Sequence, residues 1–226
     1  MLAKDLFDIE LPTREQLYET LFRPIGWDKV WYSGLNLLDF GISDNDIVLD
    51  VGGGYRPFPR ANVIVEKYIN DGTQRGNKPT RKADNQIIIE ADASSLPFKD
   101  KTFDFVYTSH TLEHVSDLPS ALEELSRVGK RGFCALPLGD FGPYTDTEKQ
   151  GHLWMCRYDN GKLYIRKRKE WEYCEELGKF HEFLHTSGAC LNDTKLPYVY
   201  WFEQVYRHVW EIRFVWKEQI KYEVYE

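Results

Sequence analysis

The segment Ile47-Val-Leu-Asp-Val-Gly-Gly-Gly-Tyr55 constrains the fold more than any other part of this chain. A short apolar run rich in β-branched residues carries an acid near its end, and three glycines follow one residue later. A buried parallel strand reads this way when it stops at a ligand: hydrophobic side chains to the edge of the sheet, then bare backbone. The glycines let the chain turn sharply and let a bound molecule approach the main chain, and Asp50 sets a carboxylate acceptor beside them. A glycine cluster alone also suits a tight turn, so the remaining elements must decide its meaning.

Further along, apolar runs alternate with polar connections. Asp46 to Asp50 is the first expected strand, followed by Asn62 to Glu66, Ile87 to Glu90, Phe103 to Tyr107 and Gly132 to Leu136. A helix is expected from Leu118 to Val128, opened by Asp117 or Pro119 and closed by Gly129. Strands alternating with crossovers predict a parallel sheet that binds ligands at the carboxyl ends of its strands. Ahead of it, Thr13-Arg-Glu-Gln16 has the form of a capping box, with Leu17, Leu21 and Phe22 at helical spacing. A second helix is expected from about Asp28 to Asp39. After the sheet, Leu153 to Tyr158 and Lys162 to Arg166 flank Asp159-Asn-Gly161, the signature of a tight hairpin turn. A helix from about Lys169 to His185 follows. Val209 to Trp216 and Ile220 to Tyr225 are expected to close the chain as an antiparallel hairpin at a sheet edge.

The chain has 226 residues, 42% of them hydrophobic and 15% aromatic, which is enough for a sizeable core and sets disorder aside. A net charge of −7 disfavours a protein whose main task is gripping a phosphate backbone. Cys134, Cys156, Cys174 and Cys190 form no C-x-x-C pair, as expected for reduced thiols. No apolar run reaches the length of a membrane span, and the first residues lack the pattern of a secretion signal, so a cytoplasmic location is expected.

Three strand ends that should meet at one crevice each carry an acid: Asp50, Glu66, and Asp92 just after the third strand. A carboxylate at the end of the second strand suits a ribose diol, because it accepts two hydroxyl hydrogen bonds. Asp92 would accept from an adenine amino group.

Asp50-Val-Gly-Gly-Gly54, Glu66, Asp92-Ala-Ser-Ser-Leu-Pro-Phe98 and Phe103-Asp-Phe-Val-Tyr-Thr-Ser-His-Thr-Leu-Glu-His-Val115 together resemble the class I S-adenosylmethionine-dependent methyltransferases, in particular methyltransferase type 11. Glu124 and Arg127, ahead of a glycine, are similar too. The resemblance covers roughly residues 45 to 138. It implies an α/β, Rossmann-like, doubly wound sheet of seven strands, mostly parallel and closing with an antiparallel C-terminal hairpin. A single domain over 1–226 would then comprise an N-terminal helical flank (1–44), a cofactor-binding core (45–138), and a substrate-side β-hairpin insertion with the closing hairpin (139–226). The implied cofactor is S-adenosyl-L-methionine. Gly52, Gly53 and Gly54 would face its amino acid part, Glu66 its ribose, and Asp92 with Ala93 its adenine. Ser109 and His110 would border its methionine end, and His114 would hold the following helix to the sheet.

The chain also departs from that pattern. Tyr55-Arg-Pro-Phe-Pro-Arg-Ala61 follows the glycines, and two prolines at alternate positions cannot sit inside a helix, so the first crossover helix is expected to be short or missing. Arg56 or Arg60 would then supply positive charge that a helix end would otherwise give.

His181-Glu-Phe-Leu-His185 matches H-E-x-x-H, the spacing of two zinc ligands and a general base on one helical face. Most of the chain is committed to a parallel sheet, so this motif is read as helix packing and no metal site is assigned.

An oxygen acceptor for the methyl group needs a nearby base. His110, Asp140, Tyr144 and His152 are the candidates, with His110 and His152 preferred and Trp154 as a pocket wall. Thr108-Ser-His-Thr111 stands where an Asn-Pro-Pro-Tyr type tetrapeptide would mark amino-group methylation of DNA or of protein glutamine. The expected substrate is therefore a small polar metabolite or a saccharide, methylated on oxygen, with neither nucleic acid nor membrane as partner. A noncatalytic cofactor-binding module and a zinc metallohydrolase stand as the alternatives.

Overall fold

The five strands expected around the glycine loop form a single sheet in the computed structural model, which describes residues 29–33, 36–72, 78–138, 151–172, 176, 179 and 211–226. They are β3 (Val48–Val51), β4 (Val63–Glu66), β5 (Ile87–Glu90), β6 (Phe105–Ser109) and β7 (Arg131–Pro137), all parallel. A sixth strand, β10 (Glu211–Lys217), lies antiparallel on β7, giving the order β10-β7-β6-β3-β4-β5. Strand order reverses between β3 and β6, so the carboxyl ends of those two strands open a crevice.

Alternating side chains of these strands serve two cores. Leu49, Val51, Val106, Cys134 and Leu136 belong to one, where Leu118, Leu122 and Leu125 of helix α1 (Leu118–Val128) pack against them. Val48, Ile64, Phe105 and Phe133 belong to the other, with Phe40 and Phe58. Burial on both faces explains why β3, β4, β6 and β7 read as continuous apolar runs, whereas β5, at the sheet edge, is only partly buried. Helix α1 has the expected ends: Asp117 accepts from the Ser120 N–H at 3.1 Å, Pro119 lies in the first turn, and Gly129 follows the last turn. Glu124 and Arg127 of α1 reach the β5–β6 connection. Glu124 accepts from the Leu96 N–H at 2.6 Å, and Arg127 donates to the Phe98 and Leu96 carbonyls at 2.7 and 3.0 Å.

The first crossover carries no helix between residues 52 and 62. Other contacts hold it down. Phe58 is buried, stacks flat on Tyr107 with ring centroids 4.3 Å apart, and its N–H donates to Asp50 at 2.7 Å. Gln86 donates to the Phe58 carbonyl at 2.9 Å, and Arg60 to the Ser43 carbonyl at 2.7 Å.

The insertion hairpin forms as its turn residues predict. β8 (Trp154–Asp159) and β9 (Lys162–Lys167) pair antiparallel, and Asn160 and Gly161 take the positive φ values, 47° and 76°, of a two-residue turn.

Two expectations are corrected. In place of a helix over 28–39, β1 (Lys29–Ser33) and β2 (Asn36–Asp39) pair antiparallel. Short apolar runs do not distinguish helix from strand by period, and the β-branched and aromatic Val30-Trp31-Tyr32 favours strand. The closing hairpin also does not exist. β10 joins the main sheet, whereas β11 (Tyr222–Val224) pairs parallel with β9 in a separate three-stranded sheet, β11-β9-β8. Alternation marks both segments as strands but says nothing of their partners. The main sheet has six strands among the described residues, with the antiparallel one at its edge.

The capping box at Thr13, the H-E-x-x-H motif, Asp140, Tyr144, Cys174 and Cys190 lie outside the described residues. Cys134 and Cys156 are buried free thiols, and burial pushes both pKa values up. No helix among the described residues is long and apolar enough to cross a membrane.

Candidate functional site

The carboxyl ends of β3, β4 and β6 and the residues after β5 surround a cleft of about 540 Å³. Gly52, Gly54, Glu66, Asp92, Ala93 and His110 all line it, so six of the expected site residues converge in space.

The glycine loop is fixed by its neighbours. Gly52 has φ +80°, donates to the Val65 carbonyl at 2.8 Å, and sits so close to Thr111 that a Cβ would overlap that side chain. Glu66 is buried and accepts from the Gly54 N–H, tying the end of β4 to the loop. Its carboxylate borders the cleft.

Asp92 is positioned by its own turn. Its Oδ1 accepts from the Ser94 N–H and hydroxyl at 2.9 and 2.7 Å, and its Oδ2 pairs with Lys67 Nζ at 2.7 Å. Burial works against its charge, but Lys67 and Ser94 outweigh burial and hold its carboxyl below the usual range.

Asp50, Gly53 and Ser109 were expected at the cofactor but do not line the cleft. Asp50 is fully buried under the loop, where desolvation pushes its pKa up to about 7, against the Phe58 N–H and reinforced by Glu66. It supports the loop from beneath. A Cβ on Gly53 would meet Asp50 Oδ2 at 2.5 Å, so this glycine admits the carboxylate and not a ligand. Ser109 continues the β6 ladder to Ala135, and its carbonyl accepts from Thr111 Oγ1 at 3.3 Å.

His110 ends β6 with φ +52°, an uncommon value for a residue with a side chain. Its Nε2 lies 2.9 Å from Glu211 Oε1 and its Nδ1 3.5 Å from Glu113 Oε1. Burial alone would lower its pKa, yet the two carboxylates push it up to about 10. The two carboxylates thus favour the protonated ring.

His152 does not line the cleft. It lines an adjoining cavity of about 450 Å³ with Ser116, Leu153, Lys167, Arg168, Lys169 and Glu170. Ser116 and Leu153 border both spaces. Trp154 is buried, donating from Nε1 to the Val115 carbonyl at 2.8 Å, so it anchors the insertion and walls neither space.

Lys67, Tyr68, Thr111 and Glu113 are functional candidates that no expectation from the sequence includes. Lys67 and Tyr68 directly follow the acid at the end of β4, a place where side chains reach the crevice, and that position was the available signal. Thr111 and Glu113 carried no signal beyond lying in the motif after β6.

Residues 64–136 match the family model described as a methyltransferase domain. The chain is 29% identical over 139 residues to a demethylmenaquinone methyltransferase of Staphylococcus carnosus, covering 60% of this chain and 56% of that one. It is 26% identical over 160 residues to a demethylmenaquinone methyltransferase of Staphylococcus aureus, covering 66% of each. The match thus spans less than two thirds of the first relative's length. Among solved structures, a methyltransferase from Thermotoga maritima overlays on 43% of this chain and 46% of its own, at 22% identity and a TM-score of 0.33. The family match takes in all or nearly all of four of the five parallel strands, and it embraces the acids at the ends of β4 and β5 and the turn after β6. Residues 64–136 are therefore similar to a methyltransferase domain, in agreement with the resemblance to the class I S-adenosylmethionine-dependent methyltransferases.

Proposed function

We propose that this chain transfers the methyl group of S-adenosylmethionine to a hydroxyl oxygen of a small polar metabolite or a saccharide, in the cytoplasm. The observation that carries the reading is the convergence of Gly52, Gly54, Glu66 and Asp92 on one cleft at the switch point of a parallel sheet.

The Gly52 to Gly54 backbone faces the amino acid part of the cofactor, Glu66 takes the ribose hydroxyls, and Asp92 with Ala93 takes the adenine edge. Tyr68, half-exposed at the cleft, offers a ring for the adenine face. His110 borders the sulfonium end. Methyl transfer is an in-line displacement, so the protein's main work is to align acceptor and methyl and to exclude water. The acceptor enters from the adjoining cavity, where His152 is the group placed to assist it. Lys167, Arg168 and Lys169 around that cavity favour a polar acceptor.

The named relatives supply a second reading, with a demethylated quinone as acceptor. The charged lining beside His152 weighs against so apolar a molecule. A noncatalytic cofactor-binding module is the third.

Calorimetry with S-adenosylhomocysteine, the demethylated product, tests the core of the proposal, and absence of binding would sink it. Transfer of a labelled methyl group to sugars, hydroxylated metabolites or a demethylated quinone then ranks the acceptors. Product binding with no transfer to any of them favours the noncatalytic module.

A further inference from the structure

Glu113 poses a problem that the cofactor cleft does not solve. Its side chain has no exposed surface, and among the described residues neither carboxylate oxygen receives a hydrogen bond. Burying a carboxylate costs several kcal/mol or more unless close pairing and hydrogen bonds offset it. What surrounds Glu113 Oε1 is a ring of imidazole nitrogens: His110 Nδ1 at 3.5 Å, His114 Nε2 at 3.8 Å and His152 Nε2 at 3.9 Å. These distances are too long for good hydrogen bonds. Two donors bound to one ion at about 2.0–2.2 Å and near-tetrahedral angles lie roughly 3.3–3.6 Å apart. The nitrogens of His114 and His152 stand a few tenths of an ångström beyond that spacing. One ligand atom from each of Glu113, His114 and His152 lies within 4.8 Å of the others.

The second shell is in place as well. His114 Nδ1 lies 2.6 Å from the Gly151 carbonyl. A carbonyl can only accept, so Nδ1 carries the hydrogen, and in the neutral ring Nε2 presents its lone pair to the cluster. The Leu153 N–H donates to the Glu113 carbonyl at 2.7 Å, and Trp154 Nε1 donates to the Val115 carbonyl at 2.8 Å. These bonds hold residues 151–154 against the turn after β6, bringing together ligands that are nearly forty positions apart in sequence.

We propose that Glu113, His114 and His152 form a binding site for one divalent d-block cation, such as Zn²⁺, Mn²⁺ or Co²⁺. Two imidazoles and a carboxylate suit these ions, whereas Mg²⁺ and Ca²⁺ prefer oxygen ligands throughout. His114 lines the cleft and His152 the adjoining cavity, so the remaining coordination positions face the junction of the two spaces.

The role of the ion rests on the methyl-transfer reading above. An acceptor hydroxyl that binds the ion gives its proton to solvent more readily. Its oxygen then bonds to the methyl carbon, the carbon–sulfur bond breaks, and the electron pair of that bond returns to sulfur, leaving a neutral thioether.

The test uses the full chain, stripped with a chelator and titrated without cofactor. Calorimetry with Zn²⁺ and Co²⁺ should find about one equivalent per chain, and bound Co²⁺ should show the ligand-field bands of a low-coordinate site. Mg²⁺ should not compete. Loss of an outer-shell partner alone costs roughly 10–100-fold in affinity, so Glu113→Gln and His152→Ala should each lose about 100-fold or more. The His181→Ala/His185→Ala double variant should bind as the parent does. Circular dichroism and melting check each variant. If Glu113→Gln does not fold, His114→Ala and His152→Ala carry the result. The proposal fails if no d-block ion binds, if His152→Ala binds as well as the parent, or if the His181/His185 variant abolishes binding. Product binding to the metal-free chain is measured separately. A chain that binds metal but not S-adenosylhomocysteine overturns the cofactor reading and leaves the metal site standing, and the reverse result overturns the metal site alone.

Discussion

The cofactor cleft on one side and the Glu113 cluster beside it on the other are built in different ways. On one side, backbone and carboxylates at the ends of β3, β4 and β5 do the work, fixed within the main sheet by buried strands on both faces. On the other, Glu113, His114 and His152 meet because a few hydrogen bonds pin residues 151–154 to the turn after β6. The first side is specified by where strands stop. The second is specified by long-range contacts, and it should yield to substitution at lower cost to the fold.

Two glycines give the largest expected contrast. Gly52→Ala faces both a positive φ and the Thr111 side chain, for a loss of about 3–5 kcal/mol together with cofactor-product binding. Gly161→Ala, in the insertion turn, has φ +76° but open space around it, and should lose only about 1–2 kcal/mol. Denaturant unfolding compares them, and equal losses would break the contrast.

Glu66→Gln comes next. It keeps an acceptor for Gly54 but removes the charge, so product affinity should fall roughly tenfold or more by calorimetry. Trp154→Phe should cost about 1–2 kcal/mol of stability, since it leaves the part-buried Val115 carbonyl without its donor. If the insertion is pinned as described, that variant loses metal affinity while product affinity holds.

A pH test addresses the loop support alone. Asp50 has its pKa raised to about 7 in the folded chain, from an ordinary value near 3.8. A raised pKa means that folding favours the protonated form. Its contribution is therefore full below about pH 4 and is lost as pH rises through about 7. Melting of the parent should fall relative to Asp50→Asn across that window, and parallel pH profiles would remove Asp50 as the cause. The smallest effect belongs to Lys162→Ala, which breaks an exposed pair with Glu223 at 2.9 Å and should leave the unfolding midpoint close to that of the parent.

The same contrast explains how much could be read from the sequence. β3 to β7, the caps of α1 and the Asn160-Gly161 turn all rest on neighbouring residues, and all were legible. The prolines at 57 and 59 announced the missing crossover helix for the same reason. Partner choice was not legible. Nothing local tells β10 to pair with β7 and β11 with β9, or tells Val30-Trp31-Tyr32 to become strand and not helix. Within the cleft, acids at strand ends were readable, but Asp50 was assigned to the ligand when its carboxylate turns inward to Phe58. The Glu113 cluster stayed hidden because it needs His152, and the path of the chain that delivers His152 leaves no trace in spacing.

The contact between Gly52 and Thr111 has an evolutionary reading. A side chain at 52 requires a smaller one at 111, and a larger residue at 111 requires a reshaped glycine loop. The two positions behave as one heritable character. In lineages that descend from this protein they should change together or stay fixed together, so a swap of either one alone from a divergent relative would arrive without its complement.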